Sequence, residues 1–159
     1  MMIVPVNADN AADFGSVIYH SWGETYRGLM PDEILDGRSA DRWTNRARQS
    51  PDNKLLVYVG GEAAGAVGML PQARDFCTHK DSFEIVALYV LKKYQRMGIG
   101  SALISEALKR CDSRLVTLFV LKGNDNAIAF YKKMGFEFTG KTLEDNGLTE
   151  LEMIRNIPQ

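Results

Sequence analysis

The stretch of this chain whose residue types and spacing most plainly suggest chemistry is Gln95-Arg96-Met97-Gly98-Ile99-Gly100. Two glycines one residue apart let the backbone come close to a ligand and leave several N–H groups on one side. A helix follows, and its first turn carries partial positive charge, so the junction suits a phosphate without any dedicated side chain. Lys92, Lys93 and Arg96 add a basic flank, although a charge run at a strand end is also what a solvated rim looks like. The spacing is not that of a nucleoside triphosphatase loop, which needs Gly-Lys-Ser/Thr, nor of a dinucleotide fingerprint, which needs a third glycine. No Ser-His-Asp or Cys-His arrangement is legible. His20 and His79 stand far apart with no second ligand type beside them, so no metal site is expected.

The elements that must position this loop are a strand before it and a helix after it. Glu84–Leu91 is rich in Ile, Val, Leu and Tyr and reads as a largely buried strand, the fourth of the chain (β4). Leu103, Ile104, Ala107, Leu108 and Cys111 recur at helical spacing, which predicts one core-facing stripe and a buried Cys111 thiol. Upstream, Ile3–Val6 reads as a first strand, Ala11–Tyr19 as a helix, and Pro31 onward as a second helix with a break at Asp36-Gly37. Between them lies an aromatic stretch with two glycines. Its Trp22, Tyr26 and Met30 either pack against a sheet or wall an acceptor groove. Leu55–Val59 and Ala63–Leu70 form a hairpin, and Gly65 and Gly68 in its return strand imply a bulge or a close neighbour. Pro71–Asp81 reads as a loop. Leu115–Leu121 is a nearly continuous apolar fifth strand (β5), followed by a helix Ala127–Met134. A strand Phe136–Gly140, a turn Leu143–Leu148 and a last strand Thr149–Asn156 close the chain.

Composition sets the outer bounds. The 159 residues make one ordinary domain, with 45% apolar and 25% charged residues, close to soluble averages. A formal net charge of −1 gives no overall field to recruit nucleic acid or an anionic membrane. No segment is long and apolar enough to span a bilayer, and no leader pattern opens the chain, so a cytoplasmic location is expected.

The strand beginning Glu84-Ile85-Val86, then Gln95-x-x-Gly98-x-Gly100, then a helix, resembles the acyl-CoA signature of the GNAT superfamily of N-acetyltransferases. Asn124-x-x-Ala127-x-x-Phe130-Tyr131-x-x-x-Gly135-Phe136 resembles a second signature of the same superfamily, so the likeness covers essentially the whole chain. Trp22, Tyr26, Gly28 and Pro31 resemble, much more weakly, a segment of the bacterial polyamine-type branch. The resemblance implies a single α/β domain, 1–159, of GNAT-like fold. Its sheet is mixed and mostly antiparallel, with a central parallel β4–β5 pair splayed for acyl-CoA and helices on both faces.

The same resemblance implies acetyl-CoA as cofactor. Backbone N–H groups of Arg96, Met97, Gly98, Ile99, Gly100 and Ser101, following Gln95, would hold its pyrophosphate. Leu88, Tyr89 and Val90 would pair with the pantetheine arm, and Asn124 would hold that arm near the thiol. Asn126, Ala129, Phe130 and Lys132 would lie along the adenosine-pantetheine side. The plainer reading of Asn124 and Asn126 is helix capping. Glu84 occupies the place of the general base of the histone-acetylating members, in surroundings expected to be mostly apolar; a salt bridge or substrate-charge anchor is the competing role. Tyr131 occupies the place of the thiolate-protonating tyrosine. The expected activity is direct acetyl transfer to a primary amine of a small molecule. A protein or peptide acetyltransferase and a non-catalytic acyl-CoA-binding module are the rival readings. A homodimer is expected by family habit alone.

Overall fold

In the computed structural model, which describes residues 1–158, the β-branched and aromatic runs become seven strands of one sheet. They are β1 (Met2–Pro5), β2 (Lys54–Val59), β3 (Glu62–Leu70), β4 (Phe83–Val90), β5 (Leu115–Leu121), β6 (Glu137–Asp145) and β7 (Leu148–Asn156), in the order β1-β2-β3-β4-β5-β7-β6. β4 and β5 run parallel, with Phe83 opposite Val116 and Ile85 opposite Leu118. The β1–β2, β2–β3, β5–β7 and β6–β7 pairs are antiparallel. The helices are α1 (Ala11–Tyr26), α2 (Asp32–Asp36), α3 (Ala40–Gln49), α4 (Ile99–Leu108) and α5 (Asp125–Lys133). The chain divides into two compact units, Met1–Gly68 with Ala87–Lys109, and Met69–Val86 with the residues from Arg110 on.

In the first unit α1 lays Phe14, Val17 and Ile18 on Leu56 and Ala66, with Ala47 of α3 in the same core. The neighbouring residue, Val57, points the other way, as strand alternation requires. There it meets the position of a Cβ at Gly65, which would lie 3.2 Å from Val57 Cγ1, 3.3 Å from Leu103 Cδ1 of α4 and 2.9 Å from the Tyr89 carbonyl oxygen. Helices therefore cover both faces of these strands. Gly65 is the close neighbour that the sequence implied, and the β2–β3 register skips one residue beside it, between Val57 and Tyr58. In the second unit β6 and β7 form a hairpin whose second strand, β7, lies antiparallel against β5. The hairpin's closing turn is Asn146-Gly147, both with positive φ (50° and 78°).

Three expectations are corrected. α1 does not stop at Tyr19 but continues to Tyr26, carrying the aromatic stretch with it. Gly15 lies within it where α3 crosses, and a Cβ there would stand 2.2 Å from Thr44 Oγ1 and 2.7 Å from Thr44 N. The second helix breaks at Asp36-Gly37 as expected, into α2 and α3, with Ser39 Oγ accepting from Asp41 N–H to cap α3. β6 extends to Asp145 through a register skip that uses Gly140 (φ +91°), so the turn is shorter than the expected Leu143–Leu148. Cys111 lies beyond the end of α4, half-buried, its Sγ 3.2 Å from the Ser113 carbonyl oxygen. The buried thiol is Cys77 instead.

Candidate active site

The glycine loop is held from behind by its own neighbours. After Val90 a single 3-10 turn, Lys92–Tyr94, carries the chain to Gln95, whose Nε2 donates to the Val90 carbonyl at 2.9 Å. Lys92 N–H donates to Glu24 Oε2 of α1 at 2.8 Å, tying the turn to that helix. Lys93 is ion-paired with Glu62 at 2.6 Å, and the Tyr94 hydroxyl also reaches Glu62, so Lys93 belongs to the rim rather than to the loop. Arg96 (φ 65°) and Gly98 (φ 78°) then turn left-handed, and Gly98 caps α4. The first bond inside α4 is from Ala102 N–H to Gly98 O, 3.0 Å. The N–H groups of Ile99, Gly100 and Ser101 precede it and have no acceptor within the helix. Arg96, Met97 and Gly98 are exposed, and nothing stands within 4 Å of where a Gly98 side chain would begin. The loop is open, and a helix start with unbonded N–H groups fits the diphosphate expected there.

In the same unit the aromatic residues of α1 gather around one strand residue. Trp22 meets Tyr26 edge-on (centroids 5.1 Å) and lies 5.9 Å from Trp43 and 6.3 Å from Tyr89. The Tyr26 and Tyr89 hydroxyls are 3.3 Å apart. Tyr89 is thus part of this aromatic wall, while its carbonyl faces Gly65. The Arg38 guanidinium lies 4.5 Å over the Trp22 ring and 5.7 Å from Tyr19. Beside it a cavity of about 250 Å³ is lined by Tyr19, His20, Glu24, Leu35, Asp36 and Arg38 among others. Met30 is half-buried and donates its N–H to the Tyr26 carbonyl, 2.9 Å, closing the turn after α1.

The second unit buries its acids with partners. Glu84 is fully buried (0% exposed), and its surroundings are polar rather than the mostly apolar ones expected. Its Oε2 accepts from Arg74 N–H at 3.0 Å and its Oε1 from Arg74 Nε and Nη2 at 3.0 and 2.5 Å. Arg74 in turn stacks on Phe76, whose ring meets Phe119 of β5. Glu152 accepts from Thr78 N–H (2.8 Å) and Thr139 Oγ1 (2.6 Å), while Ser82 and Thr117 share a 2.7 Å bond. Cys77 sits among these acids. Burial first, and then the Glu84 carboxylate, push its thiol up to about 11.

Tyr131 of α5 is also buried, its ring edge-on to Phe130 (5.5 Å) and Phe136 (5.9 Å). Asn124 is the N-cap of α5, its Oδ1 accepting from Ala127 N–H at 3.4 Å, which is the capping role that its position allows. Asn126 and Ala129 are exposed on α5, Phe130 is half-buried, and Lys132 lies 5.0 Å over the Phe138 ring. Leu88 and Val90 are half-buried on β4.

Sequence reasoning missed Arg38, Arg74 and Glu24. Nothing in their local pattern marks them; a lone Arg in a polar loop matters only through the residues that folding brings to it. Among the described residues no helix is long and apolar enough to cross a membrane, and no cluster of three or more His, Cys, Asp or Glu could hold a metal ion.

Residues 17–136 match the model of the acetyltransferase (GNAT) family. The chain is 26% identical over 145 residues to a probable N-acetyltransferase of Mycobacterium tuberculosis, covering 87% of this chain and 83% of that one. It is 33% identical over 103 residues to the L-amino acid N-acetyltransferase AaaT of Escherichia coli (62% of each chain). It is 35% identical over 97 residues to the N-alpha-acetyltransferase RimI of M. tuberculosis (60% of each). In structure it is similar to a PaiA N-acetyltransferase of Thermoplasma acidophilum, with a TM-score of 0.76 at 20% identity over 98% of both chains. The match to the family model takes in the glycine loop and Tyr131 alike, and the chain belongs to the GNAT family of acetyltransferases.

Proposed function

We propose that the chain transfers an acetyl group from acetyl-CoA to a primary amine of a small molecule, by direct attack and without an acyl-enzyme. The observation that carries the small-molecule reading is the cavity of about 250 Å³ lined by Tyr19, Glu24, Leu35 and Arg38 among others, which is the size of a small amine rather than of an extended peptide. The cofactor reading is supported by the left-handed Arg96 and Gly98 and the unbonded first turn of α4. The similar Thermoplasma protein was solved in complex with coenzyme A.

Acetyl-CoA supplies an activated acyl group, so the protein has to position the amine, take its proton and stabilise the departing thiolate. Tyr131 is the hydroxyl donor to the thiolate in this reading, and its ring is fixed for that task by Phe130 and Phe136. A thiol (pKa about 8.5) and a phenol (about 10) are close enough that a hydrogen bond suffices and full transfer is not required. Of the roles weighed for Glu84, the salt bridge is the one adopted in this reading: with Arg74 on both its oxygens it holds the Pro71–Asp81 loop rather than meeting the amine.

The second reading, a peptide N-terminus as acceptor, is favoured by the 35% identity to RimI. A competition experiment separates the two. With limiting acetyl-CoA, an equimolar mixture of polyamines, amino acids, aminoglycosides and short peptides is incubated with the protein, and acetylated products are read by mass spectrometry. Acetyl on small amines is the expected result, and acetyl on peptides alone would reject the small-molecule assignment.

A further inference from the structure

We propose that Arg38 is an anion anchor, and that the acceptor is a small amine carrying its own carboxylate, such as a free α-amino acid. This deepens the small-molecule reading and rests on it. Arg38 Nε and Nη1 are buried and have no hydrogen-bond acceptor among the described residues. The indole N–H of Trp22, under the guanidinium, is likewise without one. Buried donors are nearly always satisfied, and a desolvated charge without a partner is among the most unfavourable arrangements a fold retains. The nearest acids on the cavity wall are already engaged. Asp36 accepts from Arg27 at 3.0 Å, and Glu24 from Lys92 N–H. Arg27 takes Asp32 as well, so the arginine with two carboxylates is the exposed one, and the arginine against the aromatic wall has none. Burial accordingly holds the Arg38 pKa below its ordinary value.

A carboxylate entering the cavity meets a guanidinium whose Nε and Nη1 are already out of contact with water and which is backed by Trp22 and Tyr19, a setting that strengthens a charge-assisted hydrogen bond. The cavity suits an amino acid and not a nucleotide, so this anion is the acceptor's, whereas the cofactor's phosphates have the exposed loop at Arg96–Ser101. Tyr89 joins the two regions of this unit. Its ring lies in the Trp22 cluster, and its backbone is part of the β4 segment expected along the pantetheine arm.

The test compares L-leucine, L-methionine and L-phenylalanine with their α-amides, in wild type and in Arg38→Gln, with CoA affinity and a thermal melt taken on the same preparations. The expected result is a preference for the free acids of ten-fold or more in kcat/KM. In Arg38→Gln that preference is abolished through KM, with kcat and the amides changed less than three-fold and CoA binding intact. Equal use of acid and amide by the wild type, or a variant that loses both alike or loses CoA, would overturn the proposal. The wild-type contrast decides even if the variant does not fold. If no amine is acetylated, the acetyltransfer reading fails, and the anchor is then read separately from Trp fluorescence with N-acetyl-L-leucine against its amide. Binding of the acid alone upholds the anchor, and binding of neither, or of both equally, removes it.

Discussion

The two compact units treat buried charge in opposite ways. In the second, every buried polar side chain among the described residues has a partner: Glu84 has Arg74, Glu152 has Thr78 and Thr139, and Ser82 has Thr117. In the first, Arg38 and Trp22 keep buried donors unpaired, and the first turn of α4 leaves its N–H groups to solvent. A closed network fixes a loop in place and gains nothing from a ligand. An open one can be completed by a ligand, so unsatisfied groups, not charged groups as such, are the basis on which we propose the first unit as the ligand-binding one.

The largest expected effect is on the open loop. Gly98→Asp forces a side chain onto a φ of 78° and puts a carboxylate beside the diphosphate. At an effective dielectric of 20, like charges 4 Å apart repel by about 4 kcal/mol, so a loss of acetyl-CoA affinity of about a hundred- to a thousand-fold is expected by calorimetry. Unchanged affinity in the folded variant would remove the loop from the site.

Tyr131→Phe probes the second unit for a group that is more than packing. The ring stays against Phe130 and Phe136 and only the hydroxyl goes. In a steady-state free-thiol assay kcat is expected to fall by about ten- to a thousand-fold with the melting temperature little changed. An undiminished kcat would make Tyr131 a purely structural residue.

A paired measurement on Glu84 and Arg38 sharpens the contrast directly. Glu84→Gln leaves Arg74 with a neutral partner. Because Arg74 is 45% exposed, the loss is expected below that of a fully buried pair, about 2 kcal/mol of stability in urea unfolding. Arg38→Gln removes an unpaired cation and some stacking, and stability should stay within about 1 kcal/mol of wild type. The reverse ranking would mean that Arg38 is the structural residue. If Glu84→Gln shifts the acid limb of the pH–rate profile without a stability loss, Glu84 is the base and not the salt-bridge residue.

How much of this was legible follows the range of the interactions. The phosphate loop, the strand before it and the Asn124 cap are local, set by residues within a few positions of one another, and the sequence shows them. The extent of α1 was not legible, because the Trp22 stretch, interrupted by Gly23 and Gly28, looks irregular until its rings find Trp43 and Tyr89. Glu84 was visible as a residue but not as half of a pair, since Arg74 reaches it from a loop ten residues earlier with no pattern to announce it. Arg38 was invisible for the same reason.

The smallest effect tests whether the second unit is as closed as it looks. Glu150 on β7 is half-buried, and burial first, with Asp145 and Glu84 adding to it against Arg74, holds its pKa above the ordinary carboxylate value. A raised pKa means stability that is fully present below the unfolded value and is lost as pH rises through the folded one. Glu150→Gln should therefore melt slightly higher than wild type at pH 7, with the gap closing as the pH falls below the ordinary carboxylate range. A gap that widens in acid would show that Glu150 is stabilised as the anion.

The most direct measurement of the contrast is hydrogen–deuterium exchange with and without coenzyme A, resolved to short peptides. The account predicts that amides from Met97 to Ser101, which have no acceptor within α4, exchange rapidly alone and are protected by the cofactor, while amides around Arg74–Glu84 and Glu150–Glu152 are slow in both states. Protection confined to Arg74–Glu84 and Glu150–Glu152, with the loop before α4 unchanged, would contradict it.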